Sequence, residues 1–465
     1  MEHVHFIGIG GSGLSPIATV LLERGYTVSG SDRQDSPNLQ RLRDAGAEIF
    51  LGHRPENVFG ADLVVRSSAV PDDNVEVQAA KYAGIQVLKR IDFLGKLIAG
   101  QKTIAVAGTH GKTTTTGMIA SMLYDLNFDP SFVIGGTIKE LGINARAGGG
   151  EYFVIEADEY DRMFLGLRPW IAVVTNIEHD HPDCYPTQED FYRAFREFSD
   201  RLEPGGVLVA CADDEGAALL VTEMLKEGRQ VITYGLKQKD CDYRAVNLVQ
   251  NVEGGFTFTI VRKDVEIVSQ VALQVPGEHN VLNALSALCV ADILGLPMED
   301  AASALGKFRG AGRRFELRGE GNGVMVFDDY AHHPTAIRTT LRAARLRFPD
   351  RRIWAVWQPH TYSRTRLFFQ EYANSFIHAD HVLVTEVYGA REESQGDLSA
   401  NQLVEAMDHN DAHFVSGIED ATDYLINRLR PGDILLVLSA GDGDRISTNI
   451  IDSLSHDRSA HYARR

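Results

Sequence analysis

The sequence predicts an α/β protein of three successive domains, and three observations carry that expectation. Residues 3–13 run from an apolar strand, HVHFIGI, into the glycine loop Gly8-Ile9-Gly10-Gly11-Ser12-Gly13. Residues 103–116, TIAVAGTHGKTTTT, again pass from an apolar strand through a glycine turn into a helical pattern. From about Ala311 the alternation resumes, each apolar run ending in a polar loop. A chain of 465 residues has room for about three domains of 100–200 residues each. Breaks at Gly100-Gln101-Lys102 and before Ala311 divide it into 1–100, 101–310 and 311–465.

In the first unit the glycine loop is followed by a helix to about Arg24 and a strand, TVSGSD, ending at Asp32. A G-x-G-x-x-G turn with an acid at the end of the second strand is the spacing of dinucleotide folds, where the acid meets a ribose hydroxyl. Many α/β proteins share it, NAD(P)-dependent oxidoreductases included. ADLVVRSS and GIQVLK continue the alternation.

The second unit opens on a phosphate cradle. Ile104 to Ala107 reads as a buried parallel strand, and Met118, Ile119, Met122 and Leu123 line one face of the following helix. Between them Gly108, Thr109, His110, Gly111, Lys112, Thr113 and Thr114 let backbone N–H groups and a helix N-terminus face phosphate oxygens. Lys112 would reach the β- and γ-phosphates of ATP and Thr113 would hold Mg²⁺. Val106 stands where the usual P-loop has its first glycine, so this is the shorter G-T-x-G-K-T form. Strands at 152–157, 170–176 and 206–211 precede a β-rich stretch, 241–275, that reads as an antiparallel insertion.

Two strand ends in this unit offer metal ligands: Glu156 in EADEYD and His181 in TNIEHDH. Carboxylate and water suit Mg²⁺, and imidazole is tolerable at one site of a pair. Alternatively both segments are solvated polar loops, and zinc on His179 and His181 lacks a third soft ligand nearby. His279-Asn280-Val281-Leu282-Asn283 opens the closing helix, either as its cap or as an adenine or ribose contact.

In the third unit Arg314 follows the glycine-rich FRGAG, a hinge that could carry a phosphate-binding guanidinium. Asp328-Asp329-Tyr330-Ala331-His332-His333-Pro334 gathers acids and histidines at one strand end. Gln358-Pro359-His360-Thr361-Tyr362-Ser363-Arg364 does the same at the next, with Arg364 able to grip a carboxylate. The final stretch, 455–465, is polar and expected to fray.

Composition narrows the class. The net charge of −18 argues against nucleic-acid or anionic-membrane surfaces. Phosphate binding then depends on local cations, because the overall field is screened within about 8 Å at physiological salt. Four scattered cysteines give neither a disulfide framework nor a zinc ribbon. No apolar stretch approaches a membrane span, and no basic leader opens the chain. The expectation is a soluble, cytoplasmic protein.

Taken together the motifs resemble those of the Mur ligases, and most closely the branch of that family that adds L-alanine. The resemblance covers essentially the whole chain: GIGGSG and SSAVP; AGTHGKTTTT, GGT, GINAR, EADEYD, TNIEHDH and HNVLNA; GRRFE, DDYAHHPT and QPHTYSRT. It implies a Rossmann-like N-terminal domain holding UDP-N-acetylmuramate, a P-loop ATPase-like central parallel-sheet domain, and a Rossmann-like C-terminal domain receiving the amino acid. By the same resemblance Gly8, Gly10, Gly11, Ser12 and Gly13 face the diphosphate, and Asp32, Ser67 and Ser68 the uridine side. Asn144, Arg146 and Asp161 would lie near the muramoyl group. Thr113 and Glu156 would hold a first Mg²⁺ and His181 a second. His279, Asn280, Asn283, Arg314, Asp329 and His332 would complete the ATP site, and His333, His360, Tyr362 and Arg364 the amino-acid site.

The implied activity is ATP-dependent ligation of L-alanine to UDP-N-acetylmuramate through an acyl phosphate, with His333 a candidate base and hinges near residues 100 and 311. The protein would be a monomer or homodimer. Thr361 stands where several relatives carry Arg, Tyr160 stands where alanine-adding relatives often carry Ser, and no lysine matches the carbamylated one of some other members. EADEYD is shared with the ligase that attaches a ready-made tripeptide, which is the principal alternative. A nicotinamide oxidoreductase and a non-catalytic ATP-driven switch are the others.

Overall fold

Three sheets with parallel cores follow one another along the chain in a computed structural model that describes residues 2–263, 265–394, 396 and 398–462. The first holds β1 (His3–Ile7), β2 (Thr27–Asp32), β3 (Glu48–Leu51), β4 (Leu63–Arg66) and β5 (Gln86–Lys89), all parallel in the order β3-β2-β1-β4-β5. Strand order reverses between β1 and β4, which opens a crevice beyond their carboxyl ends. The glycine loop leaves β1 and Ser67-Ser68 leave β4, so both segments border that crevice.

The central sheet has ten strands. β6 (Lys102–Ala107) lies between β9 (Tyr152–Glu156) and β10 (Ile171–Val174). Beyond β9 come β7 (Ser131–Ile138) and β8 (Ile143–Arg146). Beyond β10 come β11 (Val207–Cys211), β12 (Gln230–Gly235), β13 (Tyr243–Gln250), β14 (Phe256–Arg262) and β15 (Val265–Ala272). The expected parallel sheet is therefore mixed. β8 runs antiparallel to β7 at one edge, and β14 and β15 run antiparallel at the other.

The 241–275 stretch prolongs this sheet through parallel pairing of β12 with β13. Along β14 Phe256, Phe258 and Ile260 point inward while alternate residues stay half-exposed, the one-sided burial an antiparallel edge tolerates.

The C-terminal sheet orders β16 (Glu316–Gly321), β17 (Val324–Asp329), β21 (Ile434–Leu438), β18 (Ile353–Trp357), β19 (His381–Val384) and β20 (Ala412–Phe414). It is parallel except for the β16–β17 hairpin, closed by Asn322-Gly323 with both residues at positive φ. The end expected to fray is helical in its backbone to Tyr462, and 463–465 lie outside the described residues.

Packing fixes the phosphate-loop helix. Residues 113–123 of the helix Lys112–Asp125 are all buried between the sheet and the helix Glu278–Ile293. An apolar cluster runs from Val4 and Phe6 of the first sheet to Phe153 and Ile155 of the central one, seating the first domain on the second.

Candidate active site

The phosphate loop sits at the carboxyl end of β6. Val106 pairs with Glu156 of β9, and Ala107 with Val174 of β10, so both candidate metal-binding segments emerge beside the loop. The loop is strapped to the β10 end. Thr109 N–H donates to the Asn176 carbonyl at 3.1 Å, His110 N–H to the Asn176 side chain at 2.8 Å, and the Thr175 hydroxyl to the His110 carbonyl at 2.6 Å.

Only glycine fits at two loop positions. A Cβ on Gly108, at φ +142°, would stand 1.9 Å from the Thr175 hydroxyl oxygen, and one on Gly111, at φ +81°, 2.6 Å from Asn283 Oδ1. No side chain caps the helix that begins at Lys112, which leaves its first N–H groups for phosphate oxygens.

The Thr113 hydroxyl donates to Glu156 Oε1 at 2.9 Å, and the other Glu156 oxygen accepts from Gly135 N–H at 2.6 Å. This hard oxygen pair fits Mg²⁺. Lys112 Nζ folds onto the loop carbonyls of Gly108 and Thr109 and pairs with buried Glu159 at 2.9 Å. Burial pushes the Lys112 ammonium down, but Glu159 outweighs it and the net shift is upward.

His181 lies one step further, with Nε2 3.5 Å from Glu159 rather than on Glu156, at a left-handed φ of 54°. Burial lowers its imidazole pKa, and Asp180 and Glu159 more than offset that. His179 is held by the Tyr185 carbonyl at 2.8 Å. Among the described residues the only close metal-capable trio is His110, Glu178 and His333.

A cavity of about 620 Å³ opens between the central and C-terminal domains and holds His110, Gly111, Thr114, His279, Asn280, Asn283, Arg314 and Asp329 together. This gathers most of the expected ATP residues. Asn283 donates to Asn280 Oδ1 at 3.0 Å while pressing on Gly111, so the helix opening at Glu278 braces the loop as well as bordering the cavity. Arg314 spans the two domains, its guanidinium 3.2 Å from the Thr113 hydroxyl.

The adjacent histidines of DDYAHHPT turn to opposite sides. His333 is turned toward the phosphate loop, 4.8 Å ring to ring from His110, and its Nδ1 accepts from Thr335 N–H as a helix cap. His332 faces the other way, with Nε2 3.7 Å from Asp180 and its ring 6.0 Å from His360. Burial pushes both imidazoles down to about 4, so both are neutral near neutral pH.

Arg364 is committed. Its Nε donates to Asp180 at 2.7 Å, Nη1 lies 3.1 Å from His360 and Nη2 3.3 Å from His181. Tyr362 is half-buried beside Gly389.

In the first domain Asp32 accepts from Gly10 N–H at 2.9 Å and from Arg33 N–H, bracing the glycine loop from below. Gly8 N–H donates to the Ser31 carbonyl at 2.8 Å; Gly11, Ser12 and Ser68 are exposed at the crevice, with Gly13 and Ser67 half-buried.

Arg146, expected at the muramoyl group, is paired within its own domain. It bonds Asp129 and the Pro130 carbonyl and lies 5.1 Å over Tyr124, at the far end of a helix about 20 Å long from the phosphate loop. Asn144 is half-buried on the same edge strand, and Asp161 is exposed at φ 52°.

Sequence reasoning passed over three side chains. Arg90 fills the space against Gly13 and reaches Asp158 Oδ2 at 3.5 Å, bridging the first two domains; its position just after an apolar strand was the available signal. Glu178 accepts from Thr335 at 2.6 Å and lies 2.8 Å from His110 Nε2. Asp180 binds Arg364. The last two lie inside TNIEHDH, where only the histidines drew notice.

Three family models match in order: "Mur ligase family, catalytic domain" over 3–102, "Mur ligase middle domain" over 106–291 and "Mur ligase, glutamate ligase domain" over 313–441. The chain is 43% identical over 470 residues to a UDP-N-acetylmuramate–L-alanine ligase of Roseiflexus, covering 97% of this chain and 99% of the relative. It is 41% identical to one from Clostridium tetani, covering 95% and 96%. Among solved structures it resembles the UDP-N-acetylmuramate–alanine ligase of Thermotoga maritima, at a TM-score of 0.82 and 28% identity over 97% of this chain and 99% of that one. A murein peptide ligase of Psychrobacter arcticus matches at 0.71, with 28% identity over 98% and 99%. No described helix is long and apolar enough to cross a membrane.

Proposed function

The chain belongs to the Mur ligase family, and from that premise we propose that it joins L-alanine to UDP-N-acetylmuramate at the expense of ATP in the cytoplasmic synthesis of peptidoglycan precursor. The observation that carries this reading is the meeting of Lys112, Thr113 and Glu156 with Arg314 of another domain at one phosphate loop.

The chemistry is set by charge. A lactyl carboxylate must attack the γ-phosphorus of ATP, anion on anion, so catalysis is neutralisation and positioning. Lys112 and Arg314 carry positive charge to the transferring group, and the uncapped helix N-terminus orients the phosphates. Mg²⁺ held by Thr113 and Glu156 would screen the same oxygens, and His181, beside Glu159, is the candidate for a second ion. The carboxylate oxygen bonds to phosphorus as the bond to ADP breaks, giving an acyl phosphate. The neutral amine of L-alanine then attacks the acyl carbon, and phosphate leaves with the carboxylate oxygen. We assign residues 1–100 to the UDP-sugar, 101–310 to ATP and 311–465 to the amino acid, with Arg90 and the 8–13 loop on the diphosphate. His333 caps a helix and faces the phosphate loop, so His360 and His332, on the amino-acid side, are better placed to take the amine's proton.

The test is phosphate release from ATP and Mg²⁺ with each partner omitted in turn. Release should need UDP-N-acetylmuramate and L-alanine together. Equal release without the muramate would indicate an ATP-driven switch, and preference for the tripeptide over L-alanine would indicate the recycling reaction.

A further inference from the structure

An incoming amino acid brings a carboxylate, and the cation expected to receive it is already engaged. Arg364 has only 3% of its side chain exposed, and all three of its guanidinium nitrogens face Asp180, His360 or His181. Thr361, three residues before it, is neutral, and its hydroxyl accepts the Arg364 N–H to cap a helix. Asp180 offsets the Arg364 charge, and Thr361 carries none.

A different guanidinium is held beside the same cluster, through Tyr160 and His181. Arg391 lies in the loop after β19, with its guanidinium carbon 4.3 Å from the centre of the Tyr160 ring. Tyr160 is itself fixed. Its hydroxyl donates to Asp183 at 2.9 Å, and its ring meets His181 edge-on at 5.0 Å. The loop is stapled to the 358–365 segment: Tyr388 stacks on His360 at 5.7 Å, Tyr388 N–H donates to the Pro359 carbonyl and Thr361 N–H to the Tyr388 carbonyl. Glu392, next to Arg391, accepts from Ser363 N–H at 2.8 Å. Arg391 is exposed and, among the described residues, makes no ion pair. A planar cation resting on an aromatic face keeps its N–H edges free for a carboxylate.

We propose that Arg391, seated on Tyr160, receives the carboxylate of the incoming amino acid. This rests on the ligase reading above and names the residue that gives it amino-acid affinity. It also gives Tyr160 a purpose: a serine there could not support the guanidinium.

The test is steady-state ligation by the full chain with ATP, Mg²⁺ and UDP-N-acetylmuramate, varying L-alanine or its neutral amide. Arg391→Ala should raise KM for L-alanine about 10- to 100-fold, the scale of one charge-assisted hydrogen-bonded contact, with KM for ATP and UDP-N-acetylmuramate unchanged. Arg391→Lys should fall between, and the preference for L-alanine over L-alaninamide should collapse in Arg391→Ala. Tyr160→Phe should keep the wild-type KM, while Tyr160→Ser should raise it. A KM within about twofold of wild type in Arg391→Ala, or an equal rise for alaninamide, overturns the assignment while leaving the ligase reading intact. Wild-type protein inactive with every amino acid overturns both.

Discussion

Arg364 of the C-terminal domain and Asp180 of the central domain form a buried ion pair, Nε to Oδ1 2.7 Å, across the junction of the two domains. The two residues are 184 positions apart, yet each is only 3% exposed in its side chain. Burial opposes the Asp180 charge, but Arg364 with His181 and His332 holds its carboxyl well below the ordinary range. The pair therefore remains ionised and joins the two domains.

Removing one partner of a buried pair strands the other, at about 3–5 kcal/mol. Because this pair bridges domains, Asp180→Asn should weaken their docking more than the folding of either. Small-angle scattering should give a larger radius of gyration for the variant, with near-native circular dichroism. An unchanged radius would count against the pair as a fastener.

The phosphate loop makes a second prediction. Lys112→Ala should abolish phosphate release, because the transferring group loses its nearest protein cation. Arg314→Ala removes the cation that the other domain brings to Thr113, and kcat should fall about 10²–10³-fold. Stopped-flow phosphate release separates these effects from changes in ATP affinity.

Arg90 yields a third. Its guanidinium lies against Gly13 and reaches Asp158, so it can serve the sugar-nucleotide diphosphate without touching ATP. Arg90→Ala should raise KM for UDP-N-acetylmuramate about tenfold or more and leave KM for ATP near wild type, as initial-rate kinetics would record.

Acid should destabilise the protein in a defined order. Burial holds His279, His332 and His333 at about 4 and His360 at about 3, from an ordinary value of 6.5. Between those values the unfolded chain binds more protons, so stability is lost as pH falls from 6.5 toward 4. His181 is raised and has the opposite sign: its contribution is present below 6.5 and fades as pH rises through its folded value. Glu178, held at about 2 despite burial by His110 and His333, adds a second loss as pH falls from 4.5 toward 2. Thermal melts across the first window should show a falling midpoint, shallower in His360→Phe.

Much of this was legible in local sequence. β6, β9 and β10 are apolar runs ending in glycine, acid or amide, and their order across the sheet brings Glu156 and the TNIEHDH loop to the two flanks of the phosphate loop. The β16–β17 hairpin was overlooked although Asn322-Gly323 marks its turn; β16 is exposed and charged, so no apolar run announced it. The Arg364–Asp180 pair left no local trace, because only the docking of two domains makes it. Arg146 shows the converse. The motif pointed to substrate, and the contacts that the antiparallel register of β8 gives it, with Asp129 above all, could not be read from that motif.

The most direct measurement follows isotopic label from the muramoyl carboxylate of UDP-N-acetylmuramate during turnover with L-alanine. Transfer through an acyl phosphate requires one labelled carboxylate oxygen to appear in each released phosphate. Unlabelled phosphate would mean that water, not the sugar acid, attacks ATP at this loop, and the account given for the site would be wrong.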